Sequence, residues 1–236
     1  FRSYVSVTAE IEETSRYNND LEASYHPQTD GIGVDLGVDL GVKSLAIVSD
    51  GRIFENINTS SRARRLEKRL RREQRRLSRK YEMRKKKGGS TATASANIEK
   101  KKLSVQRLHQ RLADLRRNHE NQVIHALVEQ KPRFITVEDL NVTGMMKNRH
   151  LSKAVSEQRF YSFREKLRRK AEIIGIEFHL ADRFYPSSKT CHACGHVHSG
   201  LKLKDRTYVC PACGYKEDRD LNAALNLRDT KDYRIA

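Results

Sequence analysis

The stretch GVDLGVDLGVKSLAIVSDG, residues 33–51, predicts the start of a sheet. Residues 33–36 are repeated as residues 37–40, so that Asp35 and Asp39 both precede the apolar run SLAIV. A glycine follows the second copy, and an Asp-Gly turn ends the apolar run, which is the pattern of a β-hairpin. The stretch therefore predicts two antiparallel strands with an acid on the first one.

The repeat leaves two candidates for a functional acid on that first strand. Side chains alternate along a strand, so a shift of four residues keeps Asp35 and Asp39 on one face. At about 3.3 Å per residue, the two positions are about 13 Å apart in an extended strand. Only one of the two can therefore reach a common metal site.

Composition limits the class of protein. The chain has 236 residues, 37% of them hydrophobic, which allows one sizeable core and a small accessory module. Its formal charge of +17 indicates a polyanionic partner, of which nucleic acid is the commonest. No apolar run is long enough for a membrane span, and no secretory signal opens the chain. Because the strand-like stretch VSVTAEI begins at residue 5, we expect a portion to be missing before Phe1.

Most of the charge lies in residues 60–87, where fifteen Lys or Arg residues and three acids give a net +12. Apolar residues there recur at helical spacing, and residues 87–97 then predict a loop before a second apolar-periodic helix. We expect an antiparallel helical hairpin over 60–129. A solvated coiled-coil arm is the alternative, but repulsion among the cations favours neutralisation by phosphates. The candidate nucleic-acid-binding residues are Arg64, Arg65, Lys68, Arg69, Arg72, Arg75, Arg76 and Arg79.

The four cysteines form two pairs, C191-H-A-C194 and C210-P-A-C213, with fifteen residues between them. This spacing is typical of a tetrahedral zinc site with a structural role. Disulfides are disfavoured in a chain without an export signal, and two adjacent pairs favour metal over a redox dithiol. His192, His196 and His198 could each replace a ligand, although four cysteines already complete the site.

Two further segments carry acids at the ends of predicted elements. PRFITVEDLN ends a short apolar strand at Glu138 and Asp139, and EDRDLNAALNL opens a helix near Asp218 and Asp220. Taken singly, each acid fits a helix N-cap. Taken together with an acid on the first strand, they form the set needed to hold two divalent metals for phosphodiester cleavage. Carboxylate oxygens suit Mg²⁺ or Mn²⁺.

The remaining segments are simpler. Residues 151–175 predict one amphipathic helix ending at Gly175, and residues 176–184 predict another strand. Residues 229–236 are expected to be a frayed tail.

Three stretches closely resemble the C-terminal part of the TnpB (OrfB) family, transposon-encoded relatives of the type V CRISPR nucleases. They are residues 37–51, residues 137–195 from VEDLN to CHACG, and CPACGYKEDRDLNAALNL at residues 210–227. The resemblance implies an α/β, RNase H-like (RuvC) nuclease core with a basic helical hairpin insertion and a small zinc ribbon. The implied core covers 31–186 and 218–228, the zinc ribbon 187–217, and residues 1–30 are a remnant of the family's N-terminal region.

The resemblance also implies roles for residues. The family's acids fall on Asp39, Glu138 and Asp220 as catalytic ligands of Mg²⁺ or Mn²⁺, and Cys191, Cys194, Cys210 and Cys213 hold a structural Zn²⁺. Asp39 is favoured over Asp35 because LGVKSLAIVSDG follows it in the family's register. The implied partners are a guide RNA from the transposon end, target DNA and a partner transposase encoded nearby. A prokaryotic, cytoplasmic, nucleoid-associated protein follows from the same resemblance.

Three functions remain open from the sequence. The first is a metal-dependent, RNA-guided DNA endonuclease. The second is a nucleic-acid-binding remnant without nuclease activity, which the repeat and the short N-terminal region would explain. The third is a DNA transposase or its accessory protein, although the pair His196 and His198 lies in the zinc knuckle and offers no covalent route.

Overall fold

The computed structural model describes residues 27–35, 44–86, 92–149, 152–202 and 205–236. The strands are β1 Ile32–Asp35, β2 Ser44–Val48, β3 Ile53–Glu55, β4 Phe134–Glu138, β5 Glu177–Ala181, β6 Thr207–Val209, β7 Lys216–Asp218 and β8 Tyr233–Ile235. The helices are α1 Ser61–Lys86, α2 Ala92–Val128, α3 Val142–Met146, α4 Ser152–Gln158, α5 Phe160–Ile174 and α6 Arg219–Asp229, with a 3₁₀ turn at Ile57–Thr59.

The main sheet has six strands in the order β3-β2-β1-β4-β5-β8. β1, β2 and β3 are antiparallel neighbours, as the hairpin pattern predicts. β4 then runs parallel to β1, and β5 runs parallel to β4. β6 and β7 form a separate two-stranded hairpin. The parallel pairs bring the carboxyl ends of β1, β4 and β5 to one edge of the sheet.

The first copy of the repeated tetrapeptide forms β1, which pairs with β2 through Val34↔Val48 and Asp35↔Ile47. The second copy, including Asp39, lies outside the described residues. The strand that the sequence predicts is therefore found, with Asp35 at its end.

One face of the sheet carries the main hydrophobic core. Alternate residues of β1, β4 and β5 pack there against α5 and the last turns of α2. The buried side chains include Ile32, Val34, Val123, Leu127, Ile135, Val137, Phe163, Leu167 and Phe178. Their burial provides the apolar area that stabilises this layer.

The other face is covered by α6, which packs closely on β1. A Cβ atom at Gly33 would lie 2.0 Å from the Ala224 carbonyl oxygen and 2.4 Å from the Arg228 nitrogen. Only glycine allows the helix to approach the strand at this distance.

The basic segment forms the antiparallel pair α1 and α2, which share a small apolar seam of Leu70, Val105, Leu108 and Leu112. α2 has 37 residues and is therefore about 55 Å long. It begins at Ala92, so that the loop predicted over 87–97 is partly helical. Lys101 donates a side-chain hydrogen bond to Glu73, and this bond lowers the pKa of the Glu73 carboxyl.

Two further sequence expectations were wrong in detail. The single helix predicted over 151–175 is divided into α4 and α5 at Arg159, whose φ is +56°. The tail predicted to be frayed instead contributes β8, which pairs with β5, and Tyr233 stacks on His179 with ring centroids 3.8 Å apart. This stacking gives the last strand the apolar contact that its short sequence did not indicate. Within the described ranges, no helix is long and apolar enough to cross a membrane.

Candidate active site and metal centre

The two neighbouring acids at the end of β4 have different surroundings. The Asp139 side chain accepts hydrogen bonds from Arg164 at 2.6 Å and Arg183 at 2.8 Å, and Arg234 lies 3.4 Å away. A carboxylate that faces three guanidinium groups ties together α5, the turn that follows β5, and β8. Glu138 instead accepts a hydrogen bond of 2.7 Å from the Ser187 hydroxyl. Of the two, Glu138 is the candidate for metal binding.

The register of β1 against β4 places position 35 beside Glu138. Gly33 pairs with Thr136 and Val34 pairs with Val137, so the next position on each strand lies at the same level. Position 35 shares a sheet face with Gly33, and Glu138 shares one with Thr136. This is the face that α6 covers.

The third candidate acid lies in the first turn of α6. Asp218 is the N-cap of this helix, because its carboxylate accepts from the backbone nitrogens of Asp220 at 3.0 Å and Leu221 at 3.2 Å. Capping therefore accounts for Asp218, and Asp220 is the candidate acid of this helix. The Asp220 carboxylate pairs with Arg219 at 2.9 Å. The candidate acids thus come from three elements that meet on one face of the sheet.

The four cysteines lie together as the spacing predicts. Their sulfur atoms are all within 4.8 Å of one another, with Cys191 3.7 Å from Cys213 and Cys194 3.6 Å from Cys210. Four sulfurs around zinc at about 2.3 Å stand about 3.8 Å apart, so the cluster fits a tetrahedral Zn²⁺. Among the described side chains, which do not include that of Asp35, this is the one group of three or more potential ligands at such distances.

The local backbone explains how each pair converges. The nitrogens of Gly195 and Gly214 donate to the carbonyls of Cys191 and Cys210, and both glycines have positive φ, near +74°. This left-handed backbone conformation closes each knuckle, and glycine adopts it without the steric cost that a Cβ atom would add. Although burial opposes ionisation, backbone donors at Cys213 and Ala212 lower the pKa of the Cys210 thiol to about 6. A thiolate is the form that binds metal.

Two buried asparagines attach the first knuckle to α6, and neither was predicted from the sequence as part of the site. Asn222 donates to the Thr190 carbonyl at 2.8 Å and accepts from the His192 nitrogen at 3.1 Å. Asn226 donates to the carbonyls of Ser187 at 2.8 Å and Thr190 at 2.6 Å. The available signal was the pair of amides four residues apart within the otherwise apolar run LNAALNL, which places both on one helical face.

The eight candidate nucleic-acid-binding residues of α1 are all exposed. The apolar side of the helix is occupied by Ala63 and Leu70, which are buried, so that the cations cover the remaining surface. One of the eight, Arg76, pairs with Glu73. The other seven still form a strongly positive face. Such a face suits contacts to phosphates, which are independent of base sequence.

Comparisons with known proteins identify relatives of this chain. The profile of a family described as "Probable transposase" (OrfB of IS605) matches residues 7–149, and a "Cas12f1-like, TNB domain" profile matches residues 160–227. A Streptomyces pristinaespiralis protein named "Putative RNA-guided DNA endonuclease" is 35% identical over 192 residues, covering 81% of this chain and 44% of the relative. The similarly named InsQ of Escherichia coli is 29% identical, covering 95% and 52%.

The fold also matches a solved structure, a CRISPR-Cas12f ternary complex determined by cryo-electron microscopy. The match has a TM-score of 0.60 and 18% identity, and it covers 89% of this chain and 40% of the solved chain. The mixed α/β fold is therefore shared with a Cas12f protein.

The chain belongs to the TnpB/OrfB family of IS605-type transposons and carries a Cas12f-like zinc module. It spans about half the length of the two curated relatives described above.

Proposed function

We propose that this chain is the nuclease part of an RNA-guided DNA endonuclease, with an RNase H-like (RuvC) core that hydrolyses DNA phosphodiester bonds. The observation that carries the proposal is the pairing of Val34 on β1 with Val137 on β4, which puts the next positions, 35 and Glu138, at one level of the sheet beside the helix of Asp220. The mixed order of the sheet supports the same core, with three antiparallel strands, then two strands parallel to β1, and the antiparallel β8 at the edge.

Three carboxylates would hold the metals: one from the repeat, Glu138 and Asp220. Their hard oxygens suit Mg²⁺ or Mn²⁺, which when bound would activate a water and stabilise the leaving oxygen. Ser187 holds the Glu138 carboxylate, and the Asp218 cap fixes the first turn of the helix that carries Asp220. These contacts would fix the ligands before the metals bind.

The repeat requires a choice between its two aspartates. The family's register assigns Asp39, which lies outside the described residues. Bringing Asp39 to the position that Asp35 now holds would require a shift of the chain by four residues. This shift would put Asp35 where Gly31 is, so the described strand favours Asp35. A Cβ atom at Gly31 would lie 1.9 Å from the Phe134 ring. We therefore infer that Asp35, in the first copy, supplies the acid, and that Asp39 is the alternative.

The proposed partners are a guide RNA from the transposon end and target DNA, which would contact the exposed cations of α1. A partner transposase encoded nearby would carry out transposition. Zn²⁺ would support the fold without taking part in the reaction, because four thiolates complete its coordination and leave no open position.

The deciding experiment measures cleavage of guide-complementary DNA in Mg²⁺, with RNA transcribed from the flanking locus. We expect cutting that requires Mg²⁺ and RNA and that is lost in Glu138→Gln and Asp220→Asn. Asp139→Asn is the matched control for Glu138→Gln. Because this substitution weakens the ion pairs of Asp139 with the surrounding arginines, its folding is checked by thermal unfolding. RNA binding without any cutting would instead support a nucleic-acid-binding remnant, the alternative that the exposed cations of α1 favour.

A further inference from the structure

Ser187 lies between the zinc module and the sheet and contacts both the candidate acid and α6. It follows β5, it is 5% exposed, and it lies four residues before the first zinc ligand, Cys191. Its hydroxyl donates to Glu138 Oε1 at 2.7 Å, and its carbonyl accepts from Asn226 Nδ2 at 2.8 Å. One buried residue thus contacts both the candidate metal-binding acid and the helix that carries Asp220.

The contacts continue from Asn226 to the zinc knuckle. The same amide group donates to the Thr190 carbonyl, one residue before Cys191. Asn222, one turn earlier on α6, holds Thr190 and His192 on either side of that cysteine. Both amides are buried, so losing any of these bonds would leave a polar group without water. The segment 187–192 is therefore fixed to α6 at several points.

We propose that Ser187 is a positioning residue for Glu138, and that the first zinc knuckle holds Ser187 in place through the two asparagines of α6. The proposal rests on the function proposed above, in which Glu138 binds a divalent cation. A hydroxyl that donates to one carboxylate oxygen restricts rotation of the carboxyl group and directs the other oxygen toward the metal. Loss of such an outer contact to a metal ligand costs about 10–100-fold in affinity.

In this arrangement the zinc module has a second role besides stabilising the fold, which is to position Glu138. Zinc would order the knuckle, the knuckle would be held on α6 through Asn222, and Asn226 would fix the Ser187 backbone. The Ser187 hydroxyl would then hold Glu138. Zinc loading and cation binding at the acids would therefore be coupled, although the zinc touches none of the acids.

The test uses Tb³⁺ luminescence on the zinc-loaded, RNA-free chain, because Tb³⁺ is a hard cation that probes carboxylate sites. The relevant signal is the part of the Tb³⁺ luminescence that is lost in the variant Glu138→Gln. We expect Ser187→Ala to weaken this binding about tenfold. Ser187→Thr keeps a hydroxyl and should restore most of the affinity. Ser188→Ala is the matched control, since within the described structure Ser188 has no hydrogen bond to Glu138.

Zinc content and thermal unfolding are measured on every variant, so that a merely structural role is recognised by lost zinc or a lowered Tm without the specific change in Tb³⁺ affinity. Asn226→Ala provides a second variant and should weaken Tb³⁺ binding without adding to the effect of Ser187→Ala. Unchanged Tb³⁺ affinity in folded Ser187→Ala, or no signal dependent on Glu138, would overturn the proposal. Tb³⁺ binding with the expected pattern but no DNA cutting would reject only the nuclease function.

Discussion

Val34 on β1 pairs directly with Val137 on β4, and both side chains are fully buried on the core face of the sheet. This pairing fixes the level of the next residue on each strand, Asp35 and Glu138. The choice of Asp35 proposed above rests on this register, because a slip of four residues along the strand would carry the other aspartate to the same level.

The first prediction concerns the two aspartates of the repeat. We expect Asp35→Asn to lower the cleavage rate by at least about a hundredfold, since losing a metal ligand should exceed the effect of losing an outer contact. Asp39→Asn should leave the rate near that of the unmutated chain. Both are measured as single-turnover cleavage in Mg²⁺ with guide RNA. Loss of cutting in Asp39→Asn alone would return the role to the residue that the family register assigns.

The second prediction concerns the close approach of α6 to β1. Gly33→Ala should destabilise the fold by about 1–3 kcal/mol, because its Cβ atom would press against the Ala224 carbonyl and force the helix outward. At about 2–4 °C per kcal/mol for a chain of this size, the loss is measurable by thermal unfolding. Gly200→Ala is the control, as among the described residues its Cβ atom would meet only the His198 side chain, at 3.4 Å. Equal Tm values for the two variants would contradict the proposed packing.

The third prediction concerns the positive face of α1. Replacing Arg64, Arg65, Arg69 and Arg72 with Gln should weaken nucleic-acid binding and reduce its salt dependence. Each lost phosphate contact lowers the slope of log K against log salt by about 0.9 for duplex DNA and about 0.7 for single strands. The slope is measured by fluorescence anisotropy between low and moderate salt. The control replaces four exposed cations outside α1, which are Lys153, Arg169, Lys170 and Lys231. Equal losses of slope in both variants would indicate a diffuse charge effect.

The fourth prediction concerns the cysteine cluster. We expect one zinc per chain by elemental analysis, and Cys213→Ser should abolish stoichiometric binding because the tetrahedral set then lacks a thiolate. Zinc removal by a chelator should release the β6–β7 hairpin, which hydrogen exchange over residues 207–218 would detect as lost protection. His196→Ala should keep its zinc. A loss of zinc in His196→Ala would show that a histidine replaces one of the cysteines.

Several features were predictable because they depend on residues close together in the sequence. The zinc cluster follows from cysteine spacing and the glycine after each pair, and the helical hairpin follows from apolar periodicity. The capping role considered for Asp218 is confirmed by its bonds to Asp220 and Leu221. The choice of Glu138 over Asp139 came from the family resemblance and stays a prediction, while the arginines paired with Asp139 became visible only in the structure.

The sequence by itself determined the strand that carries an acid, the zinc ligands and the basic helix, since each is encoded by a local pattern. Only the tertiary structure decided that the first copy pairs with β4, because the two copies are identical and the register of β1 depends on residues far away in the chain. It also decided that residues 233–235 complete the sheet and that Ser187 holds Glu138. Those contacts join residues far apart in the chain, and no local pattern encodes such pairings.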